Sequence, residues 1–203
     1  MARLAIFVDG GYIGALAERE FKIWIDYEKL PVEILSAVAA RTPEPVDLLR
    51  TYFYDCLPYQ GPTPTKEEVK RFANKRRFFD FLSRLPRFAV REGQLKFRGR
   101  NANGEPIFQQ KRVDLMLGLD FALLSGKRQI THAAIVTGDS DLLPALDTAK
   151  VEGLSVWLFH GPRVSRVDGT ATYATELWGV ADERVEIDTT FMKKIERLRR
   201  ASR

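Results

Sequence analysis

Four aspartates in this chain have the type and spacing to do chemistry together. Asp139 and Asp141 stand two residues apart in Thr137-Gly138-Asp139-Ser140-Asp141, directly after the apolar run Ala133 to Val136. Asp9 follows a second such run, LAIFV, and Asp114 interrupts the apolar segment VDLMLGL. Like charges held close repel, and a lone ionised carboxylate at the edge of a core is costly, so an acidic cluster needs an offset. Helix N-capping accounts for Asp9 or Asp139 taken singly, and the amide dipoles of a first helical turn suit Asp141. Asp114 taken singly is a polar residue on an amphipathic helix. Capping does not account for four acids converging from three separated segments, whereas one or two hard divalent cations do, and an all-oxygen site suits Mg²⁺ or Mn²⁺. Such ions lower the pKa of a bound water and stabilise a leaving oxygen, which fits phosphodiester hydrolysis. Thr137 and Ser140 fall where they would cap or orient the carboxylates.

Other chemistries fit less well. The single cysteine, Cys56, excludes an internal disulfide and a cysteine-rich zinc site, and two histidines leave little for a histidine-based metal centre. Ser140 as an esterase nucleophile would need a base, but His132 lies inside a predicted strand and His160 is followed by Gly-Pro. A Toprim-like site expects a glutamate where this chain has Asp9. Phosphatases with Asp-x-Asp after the first strand would not read Asp-Gly-Gly there.

These residues need elements that hold them. Arg3 to Val8 predicts a buried strand ended by Asp9-Gly10-Gly11, with a helix after it. Tyr27 to Ala40 predicts a helix with Pro31 in its first turn, and Val46 to Tyr54 a strand. Thr65 with Glu68 predicts a capping box opening a basic helix that runs through Ser83. Phe88 to Arg98 alternates apolar and polar around Glu92-Gly93, and RGRNANGEP reads as a second tight turn, which predicts an inserted hairpin over about residues 87–110. Lys111 to Leu124 predicts a helix with a glycine stop, followed by strands at Thr131 to Val136, Leu154 to Phe159 and Arg184 to Ile187, with helices at Asp139 to Lys150 and Ala171 to Trp178. Strands alternating with helices predict a mainly parallel sheet with helices on both faces, and ligands gather at the carboxyl ends of such strands. Asp9 and Asp139 stand there.

The length of 203 residues suits one domain, taken as residues 1–190, with 191–203 as a basic helix and tail. No stretch of about 18 apolar residues is present and the N-terminal apolar run is too short for a signal segment, so the chain is expected to be soluble and cytoplasmic. The net charge of +5 permits a polyanionic partner without demanding one.

FVDGGYI, KRVDLMLGLD and IVTGDSDLLPALDTAKVEGLSVWLF, in this order and spacing, resemble the NYN domain of the LabA type, within the PIN-like nuclease superfamily; ATELWGVADERVEI resembles its closing helix and strand, so the likeness covers roughly residues 3 to 187. The resemblance implies a three-layer α/β/α, PIN-like (Rossmannoid) fold and a Mg²⁺- or Mn²⁺-dependent ribonuclease site. Matched by motif, Asp9, Asp114, Asp139 and Asp141 are the site acids, and Asp120 a further acid in a supporting place. Tyr12 departs from the pattern, standing where many members carry asparagine. With RNA as the implied partner, Lys111 and Arg112 are candidates for the scissile phosphate, and Arg91, Lys96, Arg98 and Arg100, interleaved with Phe88 and Phe97, for binding single-stranded RNA. The same hairpin could instead be a homo-oligomer surface, and a non-catalytic RNA-binding or regulatory adaptor on this scaffold stands as the alternative function.

Overall fold

The computed structural model describes residues 1–101, 103, 106–111 and 113–198; the side chains of Lys96, Arg100, Pro106, Phe108, Gln109, Gln110, Lys111 and Asp114 lie outside the description. β1 (Ala2–Asp9) is the central strand of a seven-stranded sheet, and its composition shows why. Leu4, Ile6 and Val8 enter one core while Ala5 and Phe7 enter another, all fully buried. A strand covered on both faces has no solvent side, so LAIFV carries no polar alternation. β5 (His132–Val136) and β6 (Ser155–His160) behave alike, sending Ala134, Val136, Trp157 and Phe159 to the first core and Ala133, Ile135, Val156 and Leu158 to the second.

With β2 (Val46–Leu57), β3 (Phe88–Arg100), β4 (Pro106–Lys111) and β7 (Glu183–Glu186), the spatial order is β4-β3-β2-β1-β5-β6-β7. Neighbours are parallel except for β3 with β4. The chain starts at the centre, steps to one edge, then restarts beyond β1 toward the other, so its winding reverses between β1 and β5, where such sheets open a crevice. On the first face lie α1 (Gly10–Ala15), continued as a π-helical turn to Phe21, with α2 (Lys29–Ala39), α3 (Lys66–Ser83) and α7 (Thr189–Lys194). On the second lie α4 (Val113–Gly126), α5 (Leu143–Val151) and α6 (Thr175–Val180). The result is the expected three-layer α/β/α sandwich.

The Thr65 capping box forms as its spacing requires: Thr65 Oγ1 accepts from the Glu68 N–H at 3.2 Å, and Glu68 accepts from the Thr65 N–H at 2.8 Å. The region around Glu92-Gly93 differs from expectation. It is not a turn, because Glu92 and Gly93 pair with Asp55 and Cys56 in the parallel ladder, and the same strand runs on to Arg100 before meeting β4. Its inner half is thus part of the main sheet. Phe88 and Val90 pack into the first core, and burial of those side chains outweighs the turn preference of a single Gly. At the other end, Phe191, Met192 and Ile195 join the first core, Asp188 accepts from the Phe191 N–H at 2.7 Å, and Lys194 pairs with Glu33 at 2.5 Å.

Candidate functional site

The two acids that follow apolar strands come together. Asp9 ends β1, where its Oδ1 accepts the Tyr12 N–H at 3.0 Å and caps α1. Beside it, β5 ends at Val136, and the fully buried Thr137 accepts the Asp139 N–H on Oγ1 at 3.2 Å. Asp139 in turn accepts the Asp141 N–H at 3.0 Å and opens a 3₁₀ turn over Ser140–Leu142. Each carboxylate is held by a backbone N–H close by in sequence, so its orientation is set by a local turn. Asp9 and Asp139, with Gly11, Tyr12, Gly138 and Thr172, line one open pocket of about 420 Å³ at the carboxyl ends of the central strands.

Tyr12 lines this pocket and ties α1 to the turn after β6. Its hydroxyl accepts the Gly161 N–H at 2.8 Å, while the carbonyl of Gly138 accepts the Ala174 N–H at 3.0 Å. Close packing explains the glycines: a Cβ at Gly138 would lie 2.5 Å from Cε2 of Tyr12 and 2.6 Å from the Thr172 carbonyl oxygen, and one at Gly161 would lie 2.5 Å from Cδ2 of Leu16. Burial pushes the Tyr12 phenol up to about 12, so it stays a neutral hydroxyl at any ordinary pH. Where a family asparagine would offer an amide, this chain holds Asp9 with the backbone N–H of Tyr12.

The remaining predicted residues lie as follows. Asp141 is exposed in the 3₁₀ turn and Ser140 half-buried, and neither lines the pocket. Asp114 sits in the first turn of α4, which packs against that same 3₁₀ turn and α5; its carboxylate lies outside the described side chains. The side chains of Lys96, Arg100 and Lys111, and residue Arg112 as a whole, also lie outside the described residues. Asp120, on α4, is not among the residues lining the pocket; it accepts from Tyr54 Oη at 3.0 Å and Arg91 Nε at 2.7 Å. Arg91 lies 5.3 Å over the Tyr52 ring, and the Asp120 carboxylate raises its guanidinium pKa further. Burial, and then the charge of Asp120, push the Tyr54 phenol far above its usual range. The charge of Arg91 is thus largely matched within the protein. Arg98 is exposed on β3, and Phe88 belongs to the core.

A further acid was missed. Asp55 stands near the end of the buried segment of β2, one residue before Cys56 closes it, so a strand-then-acid signal like that of Asp9 points to it. It forms an ion pair with Lys75 of α3, accepts the Cys56 N–H at 2.7 Å, and packs so tightly on Gly10 that a Cβ there would lie 2.8 Å from its Oδ2. Lys75 matches its charge.

Two pocket carboxylates on rigid strand ends suit a hard cation that keeps most of its water, since Mg²⁺ is commonly held by one or two carboxylates together with substrate phosphate. Among the described residues, no three acidic, histidine or cysteine side chains form a metal-holding group. Also among them, no helix is long and apolar enough to cross a membrane.

The chain was compared with known proteins. A protein of unknown function from Vibrio parahaemolyticus shares the fold at a TM-score of 0.54, with 16% identity over 93% of this chain and 94% of that one. No curated protein matches. The family model for the NYN domain matches residues 3–182, a span holding both pocket acids, the helix of Asp114, all of β1 but Ala2, and β2 to β6 in full. The chain therefore belongs to the NYN domain family of the PIN-like nuclease superfamily.

Proposed function

We propose that this protein is a metal-dependent ribonuclease that hydrolyses phosphodiester bonds in single-stranded RNA at the Asp9–Asp139 pocket. The observation that carries the reading is the meeting of these two acids, from adjacent parallel strands, in one open pocket. Family membership supports it, because the NYN domain has a nuclease-like PIN fold. Asp9 and Asp139 would hold Mg²⁺ or Mn²⁺, with Asp114 from the start of α4 and Asp141 from the 3₁₀ turn as the further acids. When bound between these acids, such an ion would supply an activated water and offset charge on the leaving oxygen. Thr137 keeps Asp139 in place through its N–H, and Ser140 belongs to the turn that presents it. Lys111 and Arg112, next to Asp114 in sequence, would contact the scissile phosphate, and Lys96, Arg98 and Arg100 the flanking backbone. Arg91 would bind RNA only by giving up Asp120.

The test is cleavage of end-labelled single-stranded RNA with Mn²⁺ or Mg²⁺, comparing wild type with Asp139→Asn and a DNA oligomer of the same sequence. The metal term is worth several kcal/mol, so the variant should lose about a hundredfold or more in rate. Equal rates in both proteins would remove Asp139 from the chemistry. The Tyr12 phenol, tied to Gly161, favours a second reading as a non-catalytic RNA-binding adaptor. That reading expects RNA binding without cleavage in either protein.

A further inference from the structure

We propose that a second pocket on the same rim of the sheet binds a base of single-stranded RNA, at a position flanking the bond held over Asp9 and Asp139; this rests on the nucleic-acid reading above. The pocket, of about 400 Å³, opens at the end of β2, where β3 leaves its parallel pairing with β2 at Gln94, and is lined by Leu57, Tyr59, Gln60, Phe72 and Gln94, among others. The ring of Tyr59, which lines it, stacks on that of Phe97, 5.8 Å apart and 29° from parallel, and Phe97 is 41% exposed. Phe72 adds a third aromatic side chain, with the Arg76 guanidinium 5.8 Å over its ring. Aromatic faces accept any base by stacking, and the Gln60 and Gln94 amides can both donate to and accept from a base edge.

Charge and position select the occupant. Residues 57–111 carry thirteen Lys and Arg against five acids, a net of +8 where the whole chain has +5, so the rest of the molecule is net acidic. A polyanion is therefore drawn to this edge, while an uncharged apolar peptide would gain nothing from it. β2 and β3 are the first and second strands beyond β1 on that side. At about 4.8 Å between strands, the pocket lies roughly 10 Å from Asp9 along the rim, a span for one or two nucleotides of extended backbone. Both pockets lie where the parallel ladders end, on the carboxyl side of β1 and β2, so one strand of RNA can pass over both without crossing the sheet.

The experiment measures binding of a fluorescent single-stranded RNA oligomer in EDTA, where no cleavage is needed, against an abasic ribose-phosphate oligomer of the same length. Tyr59→Leu, which keeps an apolar side chain but removes the ring, should weaken binding to the base-bearing oligomer about 5- to 100-fold. It should leave the abasic oligomer and the salt dependence unchanged, because no phosphate contact is lost. Tyr59→Phe should bind as wild type. Gln94→Ala provides a second variant with an intact aromatic pair, and should lose a few-fold on base-bearing RNA alone. Wild-type affinity in Tyr59→Leu, an equal loss on the abasic oligomer, or no RNA binding by wild type would each overturn the proposal. Tyr59-dependent binding without cleavage in Mn²⁺ would overturn the ribonuclease reading alone, and cleavage without Tyr59 dependence would overturn the base pocket alone.

Discussion

A methyl group on Gly138 would press on Tyr12 and on the carbonyl of Thr172, and neither can move freely, since Tyr12 is tied to Gly161 and Thr172 meets the methyl with backbone. Gly138→Ala should therefore cost about 1–3 kcal/mol, the usual range for overpacking, and turn Asp139 away from Asp9. Thermal melting measures the first effect and RNA cleavage the second; an unchanged melting temperature would mean that the loops yield easily. Tyr12→Phe removes only the hydroxyl that accepts from Gly161, so it should cost about 1 kcal/mol, or about 2–4 °C in melting temperature, while the Asp9 cap remains. At this scale the sequence was legible where signals are local. Asp9 and Asp139 announce themselves by following apolar runs, and their caps lie within three residues of them. The Tyr12–Gly161 tie joins residues 149 apart in sequence, and no periodicity or spacing encodes it. Asp55 carried a local signal like that of Asp9, but only the fold pairs it with Lys75 of α3.

Elements were read correctly where one layer of packing decides them. The capping box starts α3 because both of its hydrogen bonds are local, and β1 reads as buried because both of its faces are covered. β3 was misread because a strand that is half sheet and half hairpin shows the same alternation throughout, and only its partners, β2 and then β4, distinguish the halves. Two tests belong here. Lys75→Met leaves the Asp55 carboxylate, 9% exposed, without its cation and should cost about 3 kcal/mol in chemical denaturation. The second concerns His160 at the end of β6, whose Nδ1–H donates to the Gly161 carbonyl at 2.7 Å and whose ring lies 4.5 Å from that of Tyr173 and 5.0 Å from that of Trp178. Burial lowers its pKa below the usual 6.5, and His132 is lowered for the same reason. Over that interval the unfolded chain binds more protons than the folded one, so stability is level above about pH 6.5 and falls as the pH drops toward the folded values. Melting temperatures measured from about pH 7 to about pH 5 should decline, and the slope should lessen in His160→Gln; a flat wild-type profile would contradict the buried, neutral ring.

The whole molecule sets acid against base along one rim. Its winding reverses between β1 and β5, which opens the pocket of Asp9 and Asp139, while the basic residues concentrate toward β3 and β4. Composition showed a basic excess and the order of segments showed the layers, but the closeness of the two acids required the strand order that places β5 beside β1. Single-stranded RNA binding should therefore weaken steeply with salt, since cations on the β3–β4 side release counterions from the RNA, and a titration from about 50 mM to about 200 mM salt in EDTA measures this. A salt-independent affinity would place the RNA elsewhere. Whether the pocket acids hold a hard cation is decided by a crystal soaked in Mn²⁺ and measured for anomalous scattering. One peak is expected in the pocket within about 2.0–2.3 Å of carboxylate oxygens of both Asp9 and Asp139. An empty pocket at saturating Mn²⁺, or a peak bound only at other acids, would contradict it.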